Sequence, residues 1–245
     1  MRSIIVASGK GGVGKTTISI NIAKVLSHRD RCGLIDADLA CPNIPIMLGI
    51  DEDERVNVSD GQYHFVDYDN NLKIFSMGFI LPSGIGMSLS GDKRGSLIHE
   101  FFSKLDFDND EIEYLIVDMP PGSGDESIAV IENLVSLTDS ASAIIVTTGK
   151  RESVEDAKRV IAMLNEIPFP VSIIGIVQNM GYIQKGKNKI TLFDDGVNIE
   201  NELGCGVLDM LPFKNPLNIS DFQKIKKGIE EYYSGERKEG KEDGK

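Results

Sequence analysis

The stretch from Ser8 to Thr17 reads SGKGGVGKTT, four glycines and two lysines within ten residues. The pattern Gly-x-x-x-x-Gly-Lys-Thr runs from Gly9 to Thr16, and its chemistry is the binding of phosphate. Gly9, Gly11, Gly12 and Gly14 free the backbone to turn its N–H groups inward around phosphate oxygens, at the start of a helix whose dipole favours anions. Val13 and Thr17 complete the cradle. Lys15 is placed to reach the β- and γ-phosphates of a nucleoside triphosphate, and the Thr16 hydroxyl to bind Mg²⁺. Lys10 stands where the pattern accepts almost any residue. From the loop alone, a solvated surface lysine and an additional phosphate ligand fit equally well.

Two further motifs carry carboxylates. In LIDADLACPN, Asp36 and Asp38 close a short apolar run; in YLIVDMPPGSGD, Asp118 closes another. An aspartate at the end of a buried strand suits a divalent cation held beside a triphosphate. The stiff Pro120–Pro121 pair would then direct the N–H of Gly122 toward a γ-phosphate, a way to tell ATP from ADP.

These groups need a scaffold that gathers strand ends. Apolar runs recur at 3–8, 32–36, 72–78, 113–119, 143–148, 171–179 and 206–211, nearly continuous in Val, Ile and Leu. Such runs predict strands buried on both faces. Helical spacing appears between them, in Ile18, Ile22, Val25 and Leu26 and again in Leu97, Ile98, Phe101, Phe102 and Leu105. Ser153 with Asp156 predicts a capping box, opening a helix with Val154, Ala157, Val160, Ile161 and Leu164 inward. Strand alternating with helix predicts an α/β fold with a doubly wound, mostly parallel sheet. One domain is expected over 1–233, with 234–245 a charged, disordered tail.

Composition narrows the partners. A net charge of −12 over 245 residues disfavours nucleic acid and a polybasic membrane anchor. Helical spacing of Ile225 and Ile229 in DFQKIKKGIEEYY comes with mixed charge and little apolar area, which disfavours membrane binding by that segment. An odd number of cysteines, Cys32, Cys41 and Cys205, and the lack of a signal-like start suggest a reducing, cytoplasmic setting. His28, His64 and His99 are scattered without metal-ligand spacing.

Taken in order, KGGVGKTT, LIDADLACPNIPIMLG, SMGFILP, YLIVDMPPGSGDE and GIVQNMGY resemble the Mrp/ApbC family of P-loop ATPases, relatives of MinD and ParA. The resemblance covers residues 1 to about 220 and implies a homodimer that hydrolyses ATP with Mg²⁺. It makes Lys10 a signature lysine that crosses to the partner's phosphates, comparable to an arginine finger in trans, a group worth roughly 10³–10⁵ in rate in GTPases. Asp38 would position the attacking water, and Asp36 would lie nearer the metal shell. Asn179 would hydrogen-bond the adenine edge, with Pro212 and Phe213 packing beside the base.

By resemblance the function is iron–sulfur cluster assembly or transfer, but the family's C-x-x-C pair after Asn-Met is missing. The chain reads NMGYIQKGKNKITLF there, predicting a hairpin of Tyr182–Gln184 with Ile190–Phe193 across Gly186. A shared [4Fe–4S] cluster needs about four thiolates across a dimer, and the cysteines of this chain do not supply them. Cys32 and Cys205 suit small core positions, and Cys41 follows Asp38. Two other functions remain open at the level of sequence: a MinD/ParA-like nucleotide-switched dimer that positions a protein partner, and a kinase of small molecules.

Overall fold

The computed structural model describes residues 1–50, 58–80, 90–107, 111–193 and 195–235. The central strands are β1 (Arg2–Ala7), β2 (Cys32–Asp36), β7 (Tyr114–Asp118) and β8 (Ala141–Thr147). Every residue of β2, β7 and β8 is buried, as continuous apolar runs require when helices cover both faces. Beside them run β6 (Leu72–Ser76), β9 (Val171–Lys185) and β11 (Val207–Pro212). Two antiparallel strands, β5 (Val66–Asp69) and β10 (Asn188–Thr191), lie at the ends of the path. The order is β10-β9-β8-β1-β7-β2-β6-β5, with β11 also on β9 and all other pairings parallel. A small separate hairpin joins β3 (Val58–Ser59) to β4 (Gln62–Tyr63).

Alternation along β1 shows how the two cores divide. Ile4 and Val6 point into one cluster with Ile18, Ile22, Val25 and Leu26 of α1 (Lys15–Ser27) and with Ile225 and Ile229 of the last helix (Gln223–Ser234). Ile5 and Ala7 point into the other, against the helices Gly91–Lys104, Asp125–Thr138 and Arg151–Glu166. These three are α3, α4 and α5, following the short α2 (Ile44–Leu48); α6 is Ile199–Leu203 and α7 the last helix. The result is a three-layer α/β sandwich on a mostly parallel sheet, as the sequence predicts. Lys226 Nζ donates to the Val25 carbonyl at 3.2 Å, so the apolar face of α7 lies against α1.

Three boundaries differ from expectation. Helix α5 starts at Arg151 with Lys150 as its cap, so Ser153 is inside the first turn and makes no capping box. Its hydroxyl is instead buried, bonded to Thr147 Oγ1 at 2.9 Å and accepting from the Thr148 N–H at 3.1 Å. Strand β9 runs on to Lys185 instead of ending at Asn179. Strand β10 opens at Asn188, pairing Ile190 with Ile183 and Thr191 with Tyr182. Of the expected tail, residues 236–245 lie outside the described residues.

Parallel strands direct their carboxyl ends to one edge. That edge collects the glycine loop after β1, Asp36–Asp38 after β2, Asp118–Gly122 after β7 and Asn179 within β9. The chain leaves β1 for β2 on one side of the sheet and later fills β8 and β9 on the other, which opens a crevice at β1.

Candidate functional site: a phosphate loop over paired carboxylates

The loop between β1 and α1 is shaped by close approach. A Cβ on Gly9 would stand 2.2 Å from the backbone carbon of Asp156 in α5, and one on Gly14 would stand 2.3 Å from Asn179 Nδ2. Gly14 also caps α1 in the left-handed region, φ 88°, where a side chain is strained. Ser8 Oγ donates to the Lys10 carbonyl at 3.1 Å, bracing the outer turn. Val13 is buried, Gly11 and Gly12 are exposed, and Lys10, Thr16 and Thr17 are half-buried. The Lys10 ammonium has no carboxylate partner among the described residues.

Below the loop, α1 converges on Asp118. Lys15 Nζ lies 2.9 Å from Asp118 Oδ1. Ser19 Oγ donates to the same oxygen at 2.7 Å, and Thr16 Oγ1 donates to Oδ2 at 2.7 Å. Ser19 was not singled out by its sequence motif. Its signal was a small polar residue one turn after Lys15, on a helix face otherwise made by Ile18 and Ile22.

Asp36 sits directly opposite Asp118 in the β2–β7 register and is fully buried. Its Oδ2 accepts from the Ile44 N–H at 3.0 Å and from Ser76 Oγ at 3.2 Å, and its Oδ1 from the Asp38 N–H at 3.3 Å. Asp36 therefore fastens the 37–44 segment to the sheet. Burial, and then the charge of Asp118, push its carboxyl up to about 7. Thr16, Asp118 and Asp36 present a hydroxyl and carboxylates, the hard oxygen donors that Mg²⁺ takes.

Asp38 is half-buried, and burial is the main cause raising its carboxyl above the ordinary range. Its Oδ1 accepts from the N–H groups of Ala40 and Cys41 at 3.1 and 3.0 Å. It lines a cavity of about 270 Å³ with Ala40, Pro120, Pro121, Glu126 and Arg94, and the last two are ion-paired.

Gly122 follows the Pro120–Pro121 pair at the same edge of the sheet. Its N–H donates to the Ser8 carbonyl at 2.8 Å, because a left-handed turn at φ 93° folds the segment back onto β1. Asn179 is buried and donates through Nδ2 to the Val13 carbonyl at 2.8 Å, so the amide holds the loop. Pro212 is buried, whereas Phe213 is 56% exposed and its N–H donates to the Tyr182 carbonyl at 2.7 Å. Both stand at the carboxyl end of β11, one strand beyond Asn179.

The cysteines are not brought together. Cys32 opens β2 and Cys205 precedes β11, both at the amino edge of the sheet, whereas Cys41 follows β2 at the carboxyl edge. Burial raises the Cys32 thiol to about 12, far from a thiolate ligand. No group of three or more His, Cys, Asp or Glu suited to a metal occurs among the described residues. These residues do not fit an iron–sulfur cluster. No helix among the described residues is long and apolar enough to cross a membrane.

Comparison with known proteins gives the family and the fold. The family model described as ParA: NUBPL iron-transfer P-loop NTPase matches residues 1–237. An iron-sulfur cluster carrier protein of Methanocaldococcus jannaschii is 36% identical over 92% of this chain and 76% of its own length. The carrier protein of Aquifex aeolicus is 35% identical over 85% of this chain, which spans only 57% of that relative. Cytosolic Fe-S cluster assembly factor CFD1 of Yarrowia lipolytica is 30% identical over 94% of this chain and 80% of its own. Among solved structures, a nucleotide-binding protein of Archaeoglobus fulgidus in complex with ADP superposes with a TM-score of 0.68 at 27% identity, over 94% of this chain and 88% of that one. The septum site-determining protein MinD of Pyrococcus horikoshii, complexed with Mg-ADP, gives 0.68 at 17% identity over 97% and 99%, a likeness of fold. With a glycine loop on β1, carboxylates at the ends of β2 and β7 and a match over nearly its whole length, the chain belongs to the NUBPL-type iron-transfer family of P-loop NTPases.

Proposed function

We propose that the chain is a Mg²⁺-dependent ATPase that acts as a homodimer in the handling of iron–sulfur clusters, as a nucleotide-driven helper that does not itself ligate the cargo. The observation that carries the ATPase is the convergence of Lys15, Thr16 and Ser19 on Asp118 beneath the glycine loop. Gly9 to Thr17 cradle the phosphates. Thr16 and Asp118, with Asp36 behind them, hold Mg²⁺, and Asp38 positions the water from the cavity it lines. Lys10 reaches the phosphates of the second subunit. Gly122 senses the γ-phosphate once its N–H leaves Ser8. Asn179, Pro212 and Phe213 border the base. The cytosol is the proposed setting, in keeping with relatives named as cytosolic assembly factors.

Cluster handling is supported by the family, and the helper role by the separation of the three cysteines. Phosphate release from ATP, with and without Mg²⁺, tests the first part. Absence of Mg²⁺-dependent turnover at any protein concentration would overturn it. Anaerobic reconstitution with iron and sulfide tests the second, and near-stoichiometric cluster retention would overturn the helper role.

A further inference from the structure

Strand β9 outlasts the sheet. Its last residue paired with β8 is Gln178, opposite Thr147, yet it continues to Lys185 and returns through Gly186 into β10. Gly186 has φ 61°, the backbone a tight hairpin demands at that position. The ribbon is held by pairs between Asn188 and Lys185, Ile190 and Ile183, and Thr191 and Tyr182. Every residue from 183 to 191 is exposed. Strand β10 ends the sheet order, so one of its edges offers N–H and C=O groups to an added strand.

The charge of this finger is opposite to that of the molecule. Lys185, Lys187 and Lys189 occur between Asn179 and Phe193 with no carboxylate among them, in a chain of net charge −12. None of the three pairs with a carboxylate among the described residues, and Lys189 Nζ rests 4.2 Å from the Tyr182 ring centroid. The other end of the sheet differs. On β5, Asp67 lies 3.0 Å from Lys73 Nζ, and Asp69 Oδ1 accepts from the N–H groups of Asn71 and Leu72. Those edge charges are satisfied within the chain. On the hairpin, the facing pair Ile183 and Ile190 adds apolar surface, 40% and 49% exposed.

We infer that the β9–β10 hairpin is a docking edge for an extended acidic segment of a partner protein, which adds as a strand to β10. Carboxylates of that segment meet Lys189 on one face of the ribbon and Lys187 at its turn. Its alternate apolar side chains cover Ile190 and, beyond it, Ile183 on the other face, which Lys185 shares. A second hairpin is a poor occupant, because edge-to-edge pairing would gather the lysines of both copies in one ribbon. A nucleic acid or an anionic bilayer is disfavoured too, since either would extend from three lysines onto an acidic protein surface.

The test uses the full chain and a fluorescent ten-residue peptide alternating glutamate and valine, with a lysine–valine peptide as control. Anisotropy should show micromolar binding of the acidic peptide that weakens in high salt. The triple variant K185E/K187E/K189E should lose at least tenfold in affinity, the triple glutamine variant should lie between, and phosphate release should be unchanged in both. Amide exchange should slow at Asn188–Thr191 when the peptide binds. Equal affinity for the two peptides, an unaffected triple variant or unchanged exchange would overturn the inference. So would self-association, or binding to phosphatidylserine vesicles or duplex DNA, that the triple variant abolishes.

Discussion

Lys15 Nζ and Asp118 Oδ1 stand 2.9 Å apart, and both side chains are almost wholly buried. The lysine is thus a structural partner of the carboxylate as well as a candidate phosphate ligand. Removing one member of a buried pair leaves an uncompensated charge, at a cost of about 3–5 kcal/mol. Here Asp36 lies beside the orphan, which adds repulsion. Lys15→Ala should therefore lower the urea midpoint as well as weaken nucleotide binding. Unchanged stability would show that Asp118 does not depend on this cation.

Asp38→Ala should separate binding from turnover. The carboxyl group faces the cavity and touches α1 nowhere in the hydrogen-bond pattern, so ATP affinity should persist. Phosphate release should fall by roughly 10²–10⁴, the range for losing a group that positions or activates water. Calorimetric titration beside the release assay distinguishes the two, and a normal rate in the variant would remove Asp38 from the reaction.

Lys10→Ala probes the second subunit. Affinity for ADP should survive, whereas association driven by a non-hydrolysable ATP analogue should be lost. Wild-type specific activity should rise with protein concentration, because assembly and nucleotide binding are linked. Sedimentation with the analogue is the measurement; a fully active monomer at all concentrations contradicts the role.

Asp36 sets a sign for pH. Its folded carboxyl is raised to about 7 from an ordinary value of 3.8, so across that interval the folded state holds a proton that the unfolded chain has released. Stability from this group is therefore greatest at the acid end and declines as pH rises from about 4 to about 7. Asp36→Asn should flatten that decline in urea titrations at successive pH values. A slope left unchanged would place the proton elsewhere.

Cluster reconstitution addresses the cysteines. After anaerobic treatment with iron and sulfide and desalting, little iron should remain, and Cys41→Ser should hydrolyse ATP nearly as well as the wild type. Bound iron lost in any one cysteine variant would identify a ligand.

The sheet was legible because its strands are buried on both faces and so carry uninterrupted apolar runs; 32–36 was placed to the residue. The ends were less legible. Strand β5, VDYD, is half-exposed and polar, so it carries no apolar run, although it turns straight back into β6 through Asn70 and Asn71 as a local hairpin. Ser153 followed a capping pattern locally, but a tertiary bond to Thr147 decided its place. At the site, the motifs gave the glycine loop with Lys15 and Thr16 and the strand-end aspartates. They could not give Ser19, whose importance is its reach to Asp118, or the bond from Gly122 to Ser8, which depends on how two loops fold together.

Strand β9 joins two ends of the molecule's chemistry. Asn179 donates to the Val13 carbonyl at 2.8 Å, the next residue, Met180, turns left-handed at φ 55°, and the lysine hairpin begins two residues later. A single side chain therefore ties the glycine loop to the base of that finger. Equilibrium thermodynamics then imposes reciprocity. If ATP strengthens the grip of a docked segment tenfold, the segment strengthens the hold on ATP tenfold, about 1.4 kcal/mol of coupling in either direction.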